Sequence, residues 1–323
     1  MYSETYVGIN AFLIGASKLL VSEGVRRATR GNLCYELPAP AIFKITNPLA
    51  REITIPVRKW NPTLPYAESL WIASGRNDMA YITHYLPRMM DYSDDGVSMR
   101  GGYGPRYRDY NGGAEDYRVE TLNVRQKGSV DQLRYVVECF EADAETRRAV
   151  ISFGDPMKDD FDDGGRLKIT KDIPCTRELH FIKQPGANKL DLIARMRSND
   201  LIWGASAINI FNYTFMQEYV AAILGMEIGN YYHIADNLHY YEHHDLMVHK
   251  LAKVDECEER PLSYAKSFRT LQEFDSLVTR LSEEEHAMRC VAKSYKEIGF
   301  DDKFFQHWYE VLYMHNRGKG EMP

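Results

Sequence analysis

A chain of 323 residues is long enough for one large α/β domain or for two smaller domains. Hydrophobic residues at 44% and charged residues at 27% predict a globular protein with a sizeable core, and the net charge of −6 argues against a general nucleic-acid surface, which needs a basic face. No apolar run approaches the ~20 residues of a membrane-spanning helix and no basic leader begins the chain, so we expect a cytoplasmic protein with no membrane partner.

The N-terminal half is predicted to mix helices and strands. Hydrophobic spacing predicts helices over 5–28, 67–75, 78–86 and 121–142. The predicted strands occupy 33–46, 52–57 and 148–153. Glycine and proline predict a loop over 100–106, and the five aspartates of 155–165 predict a solvated acidic loop.

The C-terminal half begins with strands and ends in helices. The predicted strands are 179–182 and 190–197, paired across the turn 185–188, and 231–239. The predicted helices are 206–225, 265–281, 283–298 and 302–315. This change of pattern predicts a main α/β domain over 1–250 and a helical extension over 251–323.

Cysteine usage singles out one residue. The five cysteines are scattered and form no CxxC pair, so neither a disulfide framework nor a zinc ribbon is predicted. The histidines near 239–249 lack the spacing of a zinc site, and we expect no metal. His243 and His244 are interpreted as part of a solvated helix start. Cys175 differs from the other cysteines because it follows a proline and precedes Arg-Ser-Asn-Asp at 197–200 and His-Tyr-Tyr at 239–241.

These motifs, with Glu68, Tyr103, the Arg-Arg pair at 147–148 and Asn209, resemble the thymidylate synthase and deoxynucleotide hydroxymethylase superfamily. The resemblance runs from about Gly24 to Tyr241. It implies a mixed sheet covered by helices, and a homodimer packed sheet to sheet. It also implies transfer of a one-carbon unit from 5,10-methylenetetrahydrofolate to C5 of a pyrimidine nucleoside monophosphate.

The resemblance assigns the chemistry to four residues. Cys175 is the expected nucleophile that adds to C6 of the base, and the neighbouring Arg197 favours its thiolate form. Glu68 is the matched acid and base, and Tyr103 lines the same water network. Asn209 occupies the position that reads the base edge, and its amide suits uracil better than cytosine.

Arginine is the side chain best suited to a phosphate, because its planar charged group donates several hydrogen bonds. The resemblance assigns the phosphate to one subunit's Arg30, Arg197 and Ser198. It expects the partner subunit to supply Arg147 and Arg148, so that the dimer is needed for activity.

The remaining assignments concern the sugar and the folate. His239 and Tyr241 lie two residues apart on one strand, which places them on the same face for joint binding of the sugar hydroxyl. The resemblance places Asp200 at the pterin of the folate. Gly204 and Met90 are the other expected folate contacts.

Several departures from the family pattern bear on the product. Met90 and Ser93 stand where the synthases carry two tryptophans, Thr176 replaces a histidine, and the C-terminus is helical instead of a short apolar tail. A site that admits water should yield 5-hydroxymethyl-dUMP, whereas a dry site should yield dTMP and dihydrofolate. Hydroxymethylation is therefore the leading hypothesis. The alternatives are thymidylate synthesis, hydroxymethylation of dCMP or CMP, and a non-catalytic nucleotide-binding relative.

Overall fold

Two mixed sheets organise the protein. The computed structural model describes residues 1–29, 31–113, 115–120, 128–291 and 295–320. In chain order the strands of this part of the protein are β1 (Tyr2–Tyr6), β2 (Val25–Thr29), β3 (Asn32–Glu36), β4 (Ala41–Ile45), β5 (Val150–Ser152), β6 (Thr176–Lys183), β7 (Lys189–Met196), β8 (Asn199–Asp200), β9 (Glu227–Ala235) and β10 (Leu238–Tyr241).

The six-stranded sheet has the order β1-β4-β9-β7-β6-β5 and the four-stranded sheet the order β2-β3-β10-β8. In the larger sheet β1 runs parallel to β4, and β7 runs parallel to β9, while the other neighbours are antiparallel. In the smaller sheet only β8 and β10 are parallel. The predicted α/β class with a mixed sheet is confirmed.

Helices pack against one face of the larger sheet and against one another. They are α1 (Ile9–Glu23), α2 (Thr63–Ala73), α3 (Met79–Tyr85), α4 (Tyr103–Arg108), α5 (Gln132–Ala142), α6 (Pro156–Asp159), α7 (Ile210–Ile223), α8 (Asp245–Leu251), α9 (Leu271–Cys290) and α10 (Lys303–Gly320). The apolar α7 packs against β7 and β9, and α1 packs against β1 and β4. No helix of the described residues is both long and apolar enough to cross a bilayer.

One face of the larger sheet keeps apolar side chains that are only half-buried. Ile42 lies opposite Ile234 in the pairing of β4 with β9, and Ile193 lies opposite Tyr232 in the pairing of β7 with β9. All four have intermediate exposure. Because directly opposed residues on a sheet are neighbours, these side chains share one face with Lys44, which lies opposite Tyr232, and Arg195, which lies opposite Ile234.

The predicted helix over 5–28 is too long at both ends. Residues 2–6 form β1, which pairs with β4, and residues 25–29 form β2, which pairs with β3. Pairing with strands distant along the chain overrides the local helical pattern. The predicted strand over 52–57 is also wrong, because this segment is irregular and ends in a 3₁₀ turn at Pro56–Arg58.

Two predicted loops contain helices. The Gly/Pro segment over 100–106 continues into α4. The acidic segment is solvated only in part, because it begins with α6, where Asp159 is buried, while residues 160–165 are mostly exposed. Asp159 forms ion pairs with Arg100 at 3.1 Å and with Arg106 at 2.8 Å, and both arginines are also buried. The buried cations therefore explain part of the acidic composition.

The helix predicted over 121–142 is confirmed only for its second half, α5, whose N-terminus is capped by Asp131. Residues 121–127 lie outside the described residues, and 128–131 are not helical. The hairpin of β6 and β7 is confirmed. The strand predicted over 231–239 is divided into β9 and β10, which belong to different sheets.

The C-terminal region contains fewer helices than predicted. A single helix, α9, occupies 271–290 where two were expected, and α10 follows at 303–320. Phe274 of α9 stacks on Tyr219 of α7 with 4.4 Å between the ring centroids. Trp308 of α10 packs edge-to-face on Phe215 of α7 with 4.7 Å between the centroids. These helices share one hydrophobic core with the sheets. A domain boundary at 250 stays a prediction.

Candidate active site

A cleft of about 640 Å³ lies where the smaller sheet meets α2, α4 and the start of β6. Alternate residues of β3 and β10 form its floor, because side chains two apart on a strand share a face. The cleft brings together ten of the predicted site residues: Glu68, Tyr103, Cys175, Arg197, Ser198, Asp200, Gly204, Asn209, His239 and Tyr241. Residues distant along the chain thus converge on one cavity.

Cys175 lies immediately before β6, and Arg197 immediately follows β7, its antiparallel partner. The Arg197 backbone N–H donates to the Cys175 carbonyl at 2.9 Å, and its Nη2 lies 3.7 Å from Cys175 Sγ. The guanidinium also donates to the carbonyls of Ile173 and Pro174, which hold it beside the sulfur. A fixed positive charge at this distance favours the thiolate, which is the nucleophilic form of cysteine.

Glu68 supplies a carboxyl group that can change its charge near neutral pH. It lies on α2, and its partly buried side chain lines the cleft. Burial raises the pKa of Glu68 from 4.5 to about 7. Both protonation states are therefore populated near neutrality, as a residue that accepts and returns protons requires.

Tyr103 joins this side of the cleft to the nucleophile. Its hydroxyl accepts a hydrogen bond from the Thr176 backbone N–H at 3.2 Å. Burial, and secondly the nearby Cys175, raises the pKa of Tyr103, so that its hydroxyl is neutral. Thr176 itself is buried and its hydroxyl bonds the Tyr213 hydroxyl, so it does not take a histidine's place in the cleft.

Asp200 both stabilises the chain and presents a carboxylate oxygen. Its Oδ1 accepts from the backbone N–H groups of Ile202 at 2.6 Å and Trp203 at 2.8 Å, which caps the turn that follows. Its buried Oδ2 has no hydrogen-bond partner among the described residues. Because an unpaired buried carboxylate oxygen is destabilising, this atom is suited to a ligand that donates a hydrogen bond.

The segment between Asp200 and α7 is a π-helical turn at Leu201–Asn209, which leads directly into α7. A π-helix has a wider turn than an α-helix and often occurs at a functional site. Asn209, the last residue of this turn, lines the cleft.

His239 and Tyr241 project from β10 into the cleft, with their rings 5.2 Å apart in an edge-to-face arrangement. Burial lowers the pKa of His239, with the nearby Asp200 and Glu36 opposing the shift. Asn237 is a residue that the sequence interpretation missed. Its Oδ1 lies 2.9 Å from His239 Nδ1 and accepts from Ser198 Oγ at 3.3 Å.

The predicted phosphate ligands fall into three groups. Arg197 and Ser198 line the cleft. Arg147 and Arg148 are exposed on the segment before β5, at an edge of the larger sheet, and do not line the cleft. Arg30 lies outside the described residues.

Met90 is not among the cleft residues. It lies on the 3₁₀ segment Pro87–Tyr92 with 43% of its surface exposed, so a direct folate contact is not supported in this arrangement. Ser93 is buried and donates to the Ser98 carbonyl at 2.7 Å. The two residues that stand where the synthases carry tryptophans therefore contribute no side chain to the cleft.

The sequence interpretation missed three aromatic residues that line the cleft, namely Trp203, Trp71 and Tyr92. Trp203 lines the cleft from the π-helical turn, and the Arg88 guanidinium lies 4.9 Å from its ring. Its position between Asp200 and Gly204, two predicted folate contacts, was a usable signal.

The two adjacent histidines were interpreted too simply. His243 and His244 do lie at a helix start, in the 3₁₀ turn Glu242–His244, but they also line the cleft. No cluster of three or more metal-ligating side chains occurs among the residues that the structure describes.

Comparison with known proteins identifies the family to which this chain belongs. The family model described as thymidylate synthase matches residues 48–284, which is more than half of the chain and continues beyond the predicted end at Tyr241. The chain therefore belongs to the thymidylate synthase family, and the predicted superfamily is confirmed.

Among its relatives are phage proteins that act on deoxyuridylate. The chain is 37% identical over 222 residues to the deoxyuridylate hydroxymethyltransferase of Bacillus phage SP01. This alignment covers 69% of the chain and 54% of the relative. It is 30% identical over 292 residues to the deoxyuridylate hydroxymethyltransferase of Pseudomonas phage M6, and this alignment covers 88% of the chain and 75% of the relative. The thymidylate synthase of Bacillus licheniformis is 31% identical over 134 residues, covering 41% and 44%. The chain thus spans about half of the SP01 relative.

Proposed function

We propose that this protein transfers a one-carbon unit from 5,10-methylenetetrahydrofolate to C5 of dUMP and releases 5-hydroxymethyl-dUMP. The observation that carries the proposal is the convergence of Cys175, Arg197 and Glu68 in one cleft. The names of the phage relatives support this reaction, because they are deoxyuridylate hydroxymethyltransferases.

Cys175 begins the chemistry as a thiolate held beside Arg197. Its sulfur adds to C6 of uracil, the C5–C6 double bond becomes an enolate, and C5 gains nucleophilic character. Asn209 binds the base edge and stabilises the charge on O4. Once C5 is bonded to the methylene carbon and has lost its proton to a base, the bond between that carbon and the folate nitrogen breaks. Tetrahydrofolate leaves, and the nucleotide carries an exocyclic methylene group at C5.

Glu68 moves protons in this sequence. Its pKa of about 7 lets it protonate O4 during the thiolate addition and accept a proton from an ordered water later. Addition of water to the exocyclic methylene places the hydroxyl on the one-carbon unit. The C5–C6 double bond re-forms and the C6–S bond breaks, which returns the Cys175 thiolate.

The folate supplies a one-carbon unit at the oxidation level of formaldehyde. The unpaired Asp200 Oδ2 fits a pterin, which offers N–H donors to a carboxylate. Trp203, adjacent in the π-helical turn, offers a flat aromatic surface for the pteridine or benzoyl ring. Gly204 keeps the backbone free of a side chain beside them.

A homodimer completes the site in this proposal. Two sheets that pack face to face need apolar inner surfaces, and the half-buried area around Ile42, Ile193, Tyr232 and Ile234 suits a second copy of the same sheet. The exposure of the Arg147–Arg148 pair is consistent with donation across such an interface to the partner's phosphate site.

Thymidylate synthesis is the second candidate, and one observation favours it. Trp203 lines the cleft beside Asp200. In that position its ring would exclude water from C5, which is the role expected of the tryptophans that synthases carry in place of Met90 and Ser93. In that case the product would be dTMP with release of dihydrofolate. Action on dCMP or CMP, and nucleotide binding without catalysis, are further outcomes that the same experiment separates.

The test is to incubate the protein with methylenetetrahydrofolate and, in parallel, dUMP, dCMP, CMP or UMP, and to identify the products by mass spectrometry. A gain of one CH₂O unit on dUMP is expected. A gain of one CH₂ unit would establish the synthase instead, and a product from a cytosine nucleotide alone would reject the choice of base. No product, with no covalent adduct to 5-fluoro-dUMP, would reject catalysis altogether.

A further inference from the structure

A row of buried polar side chains connects the larger sheet to the base-reading position. Its members are Tyr231 and His233 of β9, Asn199 of β8, and Asn209; we call this set the Asn209 relay. The Tyr231 hydroxyl lies 2.9 Å from His233 Nδ1, and His233 Nε2 lies 2.8 Å from Asn199 Oδ1. Asn199 Nδ2 then donates to Asn209 Oδ1 at 2.9 Å. All four residues are buried.

The relay has one preferred direction. The buried Tyr231 hydroxyl has His233 Nδ1 as its one partner among the described residues, and a buried O–H donor needs an acceptor. His233 Nδ1 therefore accepts, which leaves its proton on Nε2. The Nε2–H donates to Asn199 Oδ1, so the Asn199 amide must turn its Nδ2 donors toward Asn209.

Burial supports this protonation pattern. It lowers the pKa of His233 to about 3 and raises the pKa of Tyr231, so both groups are neutral over the physiological range. A charged imidazolium would carry protons on both nitrogens and could not accept from Tyr231. The direction of the relay is therefore the same throughout that range.

Gly204 makes room for the last bond. A Cβ at this position would lie 2.5 Å from Asn199 Nδ2, closer than real contacts allow, and 3.0 Å from Asn209 Oδ1, which is a tight contact. Gly204 was predicted as a folate contact, and this geometry adds a second reason for the glycine. The close approach of the π-helical turn to β8 is thus built into the backbone.

We infer that the Asn209 relay fixes the orientation of the Asn209 amide and thereby makes the cleft select uracil over cytosine. With Oδ1 engaged by Asn199, the Asn209 Nδ2 donors face the ligand. Uracil presents the O4 acceptor to them, whereas cytosine presents an amino donor. Asn199, His233 and Tyr231 are positioning residues in this inference. It deepens the proposed function, because it rests on Asn209 reading the base.

The test replaces the residue that holds the amide. Asn199→Leu removes the donor to Asn209 while keeping similar volume, so the amide can turn over and offer Oδ1 to a cytosine amino group. We expect the ratio of kcat/KM for dUMP to that for dCMP to fall by about 10- to 100-fold, which is the effect of leaving one buried hydrogen-bonding group unpaired. The same ratio is measured for binding by equilibrium dialysis of each nucleotide.

The matched control is Asn10→Leu, which removes a buried amide on α1 that bonds the Glu52 and Glu258 carbonyls instead of the cleft. It should reduce stability but keep the dUMP preference. A wild-type ratio in Asn199→Leu would overturn the relay. If that variant does not fold, ¹⁵N NMR of His233 in the wild-type protein decides, since a proton on Nδ1 would contradict the inferred direction and a proton on Nε2 would support it.

Failure of the relay and failure of the proposed function give different results. Wild-type protein that hydroxymethylates dUMP, with an unchanged nucleotide preference in Asn199→Leu, would reject the relay alone. Wild-type protein that binds dUMP more tightly than dCMP but forms no product would reject the proposed reaction, and the binding ratios would still test the relay. Equal wild-type binding of the two nucleotides would overturn the inferred selectivity.

Discussion

Substitution of Glu68 by glutamine should make the protein more stable at alkaline pH and much less active. The carboxyl group has a pKa of about 7 in the folded protein against 4.5 for an unperturbed side chain. Between these values the folded state binds more protons than the unfolded state, so the free energy of unfolding falls as pH rises. Above about pH 7 this loss is complete, because the carboxylate is then ionised in both states.

The size of the effect follows from the shift. At about 1.4 kcal/mol per pH unit, the change from 4.5 to about 7 corresponds to about 3 kcal/mol. The side chain is partly open to the cleft, and water that enters there solvates the carboxylate, so we expect about 1–3 kcal/mol. Glutamine keeps the shape without the charge. The free energy of unfolding of Glu68→Gln, measured relative to that of the wild type, should therefore be higher at pH 8 than at pH 5 by this amount.

The assay is urea unfolding of both proteins at pH 5 and pH 8, with kcat/KM for dUMP measured on the same samples. Glu141→Gln, which removes an exposed carboxylate on α5, is the control and should leave the pH dependence unchanged. We expect Glu68→Gln to lower kcat/KM by about 10²- to 10⁴-fold, the usual contribution of a positioned acid or base. Equal pH dependence of stability in the wild type and Glu68→Gln would refute the reasoning about burial.

Two further predictions concern the dimer and the C-terminal helices. Cys175→Ser and the double variant Arg147→Ala with Arg148→Ala should each be inactive alone, but a refolded mixture should regain activity in mixed dimers that contain one intact site; an inactive mixture that gel filtration shows to contain dimers would contradict donation across the interface. Trp308→Ala should reduce the free energy of unfolding by about 3–5 kcal/mol in urea titrations, because it empties a buried site and removes the hydrogen bond to the Tyr66 carbonyl at 2.8 Å. A loss below about 1 kcal/mol would show that α10 is not part of the common core.

The sequence predicted best those features that depend on neighbours along the chain. The hairpin of β6 and β7 was predictable because two apolar runs flank a Pro-Gly turn, and its antiparallel pairing is what brings Arg197 to Cys175. The burial of Asp159 was not predicted because its partners are Arg100 and Arg106, more than fifty residues earlier. Such pairing cannot be inferred from local composition.

The N-terminal error has the same cause. Local spacing predicted one helix over 5–28, but β1 and β2 at its ends find their partners in β4 and β3. The cleft was predictable to a greater extent than the fold around it, because motif residues identify a site without a complete topology. Asn237 was missed because its bond to Ser198 joins residues that are distant along the chain, whereas the position of Trp203 between two predicted folate contacts was a signal in the sequence.

In the proposed reaction, we expect the choice between the two products to depend on the aromatic residues that line the cleft, of which Trp203 lies beside Asp200 in the chain. Met90 and Ser93 do not line the cleft, so neither supplies the shielding expected of a tryptophan there. Trp203 lines it from the π-helical turn, held by Arg88 at 4.9 Å and by the Asp200 cap through its backbone N–H. Its ring is therefore fixed beside the carboxylate that we assign to the pterin. Hydroxymethylation requires that this ring shield the folate while leaving a path for water to the exocyclic methylene, and the Glu68 side of the cleft provides an ionisable group to activate that water.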